Sequence, residues 1–315
     1  MCLTAAVTAG GCVTVHGERA VVPATTEAEA AEALAAFTEA YNAADRAFDP
    51  ALDAGRVTGP LGAINQAGLR AKRAASPGGN PRHSPLALTD ARFTVPAQAG
   101  WPKFFLADTD SNRDRDGDPR LDNRWLLVFT RGGADQLWEV TYLAVLTPDE
   151  VPAFRTSSGR AEPVAPDGGG LAARPASLSE RYAAYLRDGR GPFATGSHTS
   201  EWRALRERTA RRPGRTTQYA DQPLTDASYA PLGLRTEDGG ALVFFSSRHY
   251  EKQTAAPGVP LRIQPEVRSL LTGGAARTSV TLEQVSGQAA LVPPAGGGPV
   301  DVVARLQGLT GARGG

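Results

Sequence analysis

The chain has 315 residues, with 34 basic and 33 acidic side chains and a formal net charge of +1. That balance excludes a global pull toward nucleic acid or an anionic membrane surface, and two cysteines cannot make a disulfide-stapled or Cys-ligated fold of this length. No apolar run approaches the roughly 20 residues that cross a bilayer as a helix, and the length favours two domains over one.

The first informative residue is Cys12. It follows Ala9-Gly10-Gly11 and a short uncharged run from Leu3 to Thr8. Small residues before a cysteine suit a lipoprotein-processing peptidase, whose pockets must seat the positions before the cut. Residues 1–12 are therefore expected to be a lipoprotein signal, with Cys2 removed and Cys12 carrying the lipid. No basic residue precedes Cys12, and the apolar stretch is shorter than the usual core of about 7–15 residues. Both features point to a start upstream of Met1. Residues 13–25 read as a tether.

The first domain is expected over 26–154. Thr26 followed by Glu27 and Glu29 is a helix start, with acids near the positive helix end. Leu34, Phe37, Ala40, Tyr41 and Ala44 recur at helical spacing, and Asp49-Pro50 ends the run. A second helix is predicted over 61–75. The period then changes: 86–95, 101–107, 124–130 and 136–146 read as strands, the last two flanking a Gly132-Gly133 turn. Helices followed by a strand meander predict an α+β fold with an antiparallel sheet.

Residues 155–175 are rich in Gly, Pro, Ser and Ala and read as a linker. The same order then repeats over 176–310. Helices are predicted at 178–186 and from Thr199, and strands at 216–219, 226–232, 241–251, 277–283 and 300–306. Leu88-Thr89-Asp90-Ala91 recurs as Leu224-Thr225-Asp226-Ala227, which suggests a duplication of one helix-helix-sheet unit.

The strongest candidate for chemistry is the loop Asn112-Arg113-Asp114-Arg115-Asp116-Gly117-Asp118. Asn112, Asp114, Asp116 and Asp118 supply oxygens as in the first half of a calcium loop. Asn123 stands where the closing bidentate acid belongs, however, and two arginines lie inside the loop. Asp, Asn and Gly are also ordinary turn residues, so no metal ligand is assigned. His16, His83, His198 and His249 show no pair at metal-binding helical spacing and read as surface or packing residues. Ser197-His198 and Ser246-Ser247-Arg248-His249 lack the strand-turn-helix elbow of a serine hydrolase, so no catalytic residue is assigned. The six arginines between Arg203 and Arg215 read as the solvated face and end of a helix. Trp101, Trp125, Trp138 and Phe129 read as strand core.

Two resemblances add to this. Gly11-Cys12-Val13-Thr14-Val15-His16-Gly17-Glu18 resembles the mature start of actinobacterial secreted lipoproteins of unknown function. Helix-helix-sheet in each half resembles the cone-shaped α+β fold of the nuclear-transport-factor-2-like (NTF2-like, cystatin-like) superfamily. Together they imply a cell-surface protein, lipid-anchored through Cys12 to the outer face of the cytoplasmic membrane. The expected function is binding or scaffolding, without cofactor or nucleic-acid partner. The alternative is an enzyme whose NTF2-like pocket uses an Asp or His as general base.

Overall fold

Helix α1 (Glu27–Ala47) begins at Thr26, whose side chain accepts a hydrogen bond from the Glu29 amide and satisfies one of the free first-turn donors. The computed structural model describes residues 20–115, 117–118 and 121–315. Helix α2 (Gly59–Ala75) follows, then four strands: β1 (Leu88–Thr94), β2 (Lys103–Ser111), β3 (Arg124–Arg131) and β4 (Glu139–Leu146). They pair in chain order as an antiparallel meander.

The second half repeats that order. Helices α3 (Leu178–Asp188) and α4 (Ser200–Thr209) precede β5 (Arg215–Leu224), β6 (Ala241–Ala255), β7 (Ser279–Val292) and β8 (Asp301–Gly314). These long strands are again antiparallel neighbours in chain order, and three short strands complete a seven-stranded sheet. The α+β class and the antiparallel sheets match the sequence expectation.

The layers follow from alternation along the strands. On the outer face of the first sheet Phe105, Ala107, Leu127, Phe129 and Val140 pack under Ala30, Ala33, Leu34 and Phe37 of α1. On its inner face Phe104, Leu106, Leu126, Val128, Tyr142 and Leu146 meet Leu242, Phe244, Ala289 and Ala304 of the second sheet. The outer face of that sheet, with Val243, Phe245, Ala290 and Val302, is covered by Leu178, Tyr182 and Leu186 of α3. The order is helix, sheet, sheet, helix, and the two halves share the middle core. Burial of each such large apolar side chain is worth about 1.5–3 kcal/mol.

Strands β6–β8 run 14–15 residues against 7–9 for β1–β4, so the second sheet extends beyond the first. Helix α2 covers the overhang. Its Ile64 lies so close to Gly308 of β8 that a Cβ there would come within 2.4 Å of the Ile64 Cγ2. Only glycine permits that approach.

Several local expectations change. Segment 155–175 is not a solvated spacer: Ala161, Val164, Leu171 and Ala173 are buried, and bridges tie Pro163 to Leu234 and Leu171 to Pro294. Leu88 opens β1 whereas Leu224 closes β5, so the repeated tetrapeptide does not mark equivalent places. The predicted strand at 226–232 is a turn of 3-10 helix at Ala227–Tyr229 followed by a short strand, Leu232–Arg235. Pro231 between them has no amide to donate to a ladder.

Candidate functional site

Of the calcium candidates, Asp116 lies outside the described residues. Asn112 Oδ1 accepts from the Ala87 amide at 3.0 Å, and its Nδ2 donates to the Pro85 carbonyl at 3.0 Å. Asp114 Oδ2 accepts from the Asn123 amide at 2.8 Å, and the Asp118 carbonyl closes a turn with the Leu121 amide at 2.7 Å. The Asn112 amide thus holds the β2–β3 loop onto Pro85 and Ala87, and Asp114 Oδ2 holds the loop onto itself, while the buried Asp114 Oδ1 has no hydrogen-bond partner among the described residues.

Cys12 and His16 also lie outside the described residues. His83 is a packing residue, with Nδ1 2.9 Å from Asp45. His249 is different. From β6 it faces Asp221 on β5, directly opposite in the ladder, and Ser286 on β7, one diagonal step away. Nδ1 lies 2.6 Å from Asp221 Oδ1 and Nε2 lies 2.6 Å from Ser286 Oγ. The assignment that satisfies both is Nδ1–H donating to the carboxylate and the serine hydroxyl donating to Nε2. Gln288 Nε2 donates to Ser286 Oγ at 2.5 Å. Arg206 of α4, expected on a solvated face, is buried and donates from Nη1 to both Asp221 oxygens, at 3.0 and 2.8 Å. Trp202 lies between two guanidiniums, with Arg206 4.9 Å and Arg305 3.8 Å from its ring centroid.

Burial alone would raise the Asp221 pKa, but hydrogen bonds from His249 and Arg206 and the guanidinium charge outweigh it and hold the carboxyl below its ordinary value. Burial holds His249 below the ordinary histidine value. The Asp-His-Ser order is that of a nucleophile relay. A nucleophile must touch its substrate, however, and Ser286 has no exposed surface. In this arrangement the chain of hydrogen bonds ties three strands and α4 together.

Arg206 and Asp221 also line a cavity of about 430 Å³ with Arg203, Glu207 and Tyr219, and among the other cavities of the described residues two lie against the first sheet. A cleft of about 620 Å³ is walled by Asp90, Asp108, Asp110, Asp122, Arg92 and Arg124 on one side and by Pro148 to Phe154 on the other. Its cations are already paired: Arg124 donates to Asp108 Oδ1 at 2.7 Å and to Asp90 Oδ2 at 2.9 Å, and Arg92 reaches Asp90 at 2.9 Å.

The second is a pocket of about 340 Å³ at the seam between the halves. Thr130 and Thr141, with hydroxyls 2.5 Å apart, and Glu139 come from the inner face of the first sheet. Trp101 and Pro102 form one rim, and Ala227, Ser228, Ala230 and Leu232 form the other. Trp101 is not core: it precedes β2 and is 40% exposed, while Trp138 and Phe129 are buried as expected. The second rim is fixed by Tyr142, which reaches the Tyr229 and Ala230 carbonyls, each at 3.1 Å, and accepts from Ser246 Oγ at 3.0 Å. Glu139 is the pocket's charged side chain, and burial raises its pKa, with no hydrogen bond or counter-charge from the described residues opposing it. Sequence reasoning missed Glu139 because a lone acid at a strand start has the pattern of a solvated strand end.

The family described as "Domain of unknown function (DUF8094)" matches residues 21–314, and the chain belongs to it. An uncharacterized lipoprotein of Streptomyces coelicolor is 53% identical over 98% of this chain and 91% of its own length. An uncharacterized lipoprotein of Streptomyces avermitilis is 51% identical over the same shares of the two chains. No solved structure matches.

Proposed function

We propose that this protein is a lipid-anchored extracytoplasmic binding protein whose ligand enters the seam pocket. Anchoring is supported by the lipoprotein names of its relatives and by Cys12 after Ala9-Gly10-Gly11. Replacing Cys12 with Ser releases the protein into the medium; a membrane fraction unchanged by Cys12→Ser removes the anchor from the proposal. The outer face of the cytoplasmic membrane is the corresponding site of action.

Binding rests on one observation: the seam pocket joins a partly exposed tryptophan and a half-buried carboxylate without a counter-charge among the described residues, on a wall held by the Tyr142 hydrogen bonds. A few polar groups in a mostly apolar, preformed concavity are the usual makings of a small-molecule site. Between α1 and the first sheet the interior is filled by Phe37, Phe105 and Phe129, whose rings pack on one another. That packing leaves no room there for the pocket and general base of the enzyme alternative. The matching helix-helix-meander order of the halves supports the duplication, with 26–154 and 176–310 as its two copies. The test of binding is a small-molecule thermal-shift screen on the wild-type chain and on Ser228→Trp, which sets a large ring on the rim. Hits abolished by the rim substitution support the pocket; hits indifferent to it place binding elsewhere.

A further inference from the structure

The pocket's chemistry specifies the charge of what it takes. Glu139 projects from the first residue of β4, opposite Thr130 of β3. It is the charged member of a lining otherwise made of Trp101, Pro102, small aliphatic groups, hydroxyls and the Gln136 amide. Taking a carboxylate partly out of water costs free energy unless a cation or several donors replace the lost hydration. Arg131 and Lys103, which adjoin lining residues in sequence, have their hydrogen-bond partners outside the pocket. Arg131 donates to Glu29 Oε1 at 2.8 Å and stacks 4.6 Å from Trp138. Lys103 donates to the Pro23 carbonyl at 3.3 Å. Both sit about the Trp101 ring, at 5.3 and 5.5 Å from its centroid, so the ring's cation-attracting faces are already served.

We infer that the seam pocket binds a small organic cation, an ammonium group seated on Glu139 with an apolar body against Trp101, Pro102 and Leu232. This deepens the binding-protein reading and rests on it. An anion would meet a like charge, and a neutral ligand would leave the half-buried carboxylate uncompensated. A volume of about 340 Å³ admits a compact amine and not a peptide.

The test uses three probes of one shape and different charge, phenethylamine, 2-phenylethanol and 3-phenylpropionate, followed by ligand-observed NMR on the full chain. Wild type binds the amine at least tenfold more tightly than the alcohol and the carboxylate most weakly. Glu139→Gln erases the preference for the amine while leaving the alcohol's affinity in place. Its melting temperature does not fall, because no partner is lost. If the alcohol binds as well as the amine, or the preference survives Glu139→Gln, the cation inference is overturned. Loss of the alcohol in Ser228→Trp then still upholds the pocket. Binding of none of the three to wild type overturns both.

Discussion

Ser286 Oγ lies 2.6 Å from His249 Nε2, and both side chains are buried between α4 and the second sheet. The distance is that of a catalytic pair, and the burial is that of a structural one. Removing the hydroxyl discriminates. Ser286→Ala leaves Nε2 only the longer contact to Ser247 Oγ, at 3.5 Å, and a buried polar atom left poorly bonded costs about 1–3 kcal/mol. Urea unfolding is expected to show that loss, with the native spectrum retained. A stable Ser286→Ala that abolished a hydrolytic activity of the wild type would make Ser286 a nucleophile after all.

The Arg206–Asp221 pair carries more. Both side chains are nearly inaccessible, and the nitrogen–oxygen distance is 2.8 Å. Breaking a buried pair by removing one charge leaves the other uncompensated, at a cost of about 3–5 kcal/mol. Asp221→Asn is therefore expected to be among the most destabilising single changes in the second half. Arg155–Glu162, at 2.5 Å but 45% and 34% exposed, serves as the internal control: Glu162→Gln is expected to cost no more than about 1 kcal/mol. Equal effects of the two substitutions would show that burial is not what sets the difference.

Buried titratable groups set a pH response. His249 and His198 are both held below the ordinary histidine value by burial. A depressed folded-state pKa means that protonation favours the unfolded chain. Their contribution is intact above the unfolded value, about 6.5, and is lost as pH falls through that value toward the folded one. Glu139, raised by burial, acts oppositely: its cost appears as pH rises above about 4.3 and is full in the neutral range. Denaturation midpoints are expected to drop between about pH 7 and pH 5, with a shallower drop in His249→Gln. Identical profiles for the two proteins would remove His249 as the cause.

How legible this was in the sequence depends on the residue. Helix α1 was readable because Thr26 and Glu29 mark its start and Leu34, Phe37 and Tyr41 fall on one face. Strands β2–β4 were readable because Phe104 to Ala107 and Trp125 to Phe129 are dense apolar runs. Strand β8 was read short, ending at 306, because Gly308 and Gly311 have the composition of a loop; the structure places those glycines under α2 and beside Glu283. The buried chain could not be seen at all. Asp221, His249 and Ser286 are separated by 28 and 37 residues, and only the register of three strands brings them together. Arg206 reads as a solvated arginine because its neighbours Arg203, Arg208 and Arg211 share its type but not its burial.

The docking of α2 across the second sheet gives the sharpest test of the shared architecture. Ile64 and Gly308 belong to different halves, and an added Cβ at 308 would come within 2.4 Å of Ile64 Cγ2 and 3.3 Å of Ile64 Cβ. Ile64 cannot swing away cheaply, because a β-branched side chain in a helix has essentially one favoured rotamer. Gly308→Ala must therefore push α2 off β8, and overpacking of this kind costs about 1–3 kcal/mol. Ile64→Ala alone costs contacts but opens room for the new methyl. The double variant is expected to be more stable than the sum of the single effects predicts, with a coupling of about 0.5–3 kcal/mol between contacting sites. Strict additivity in the urea midpoints would mean that α2 does not rest on β8 in solution, and that the two halves meet only through their facing sheets.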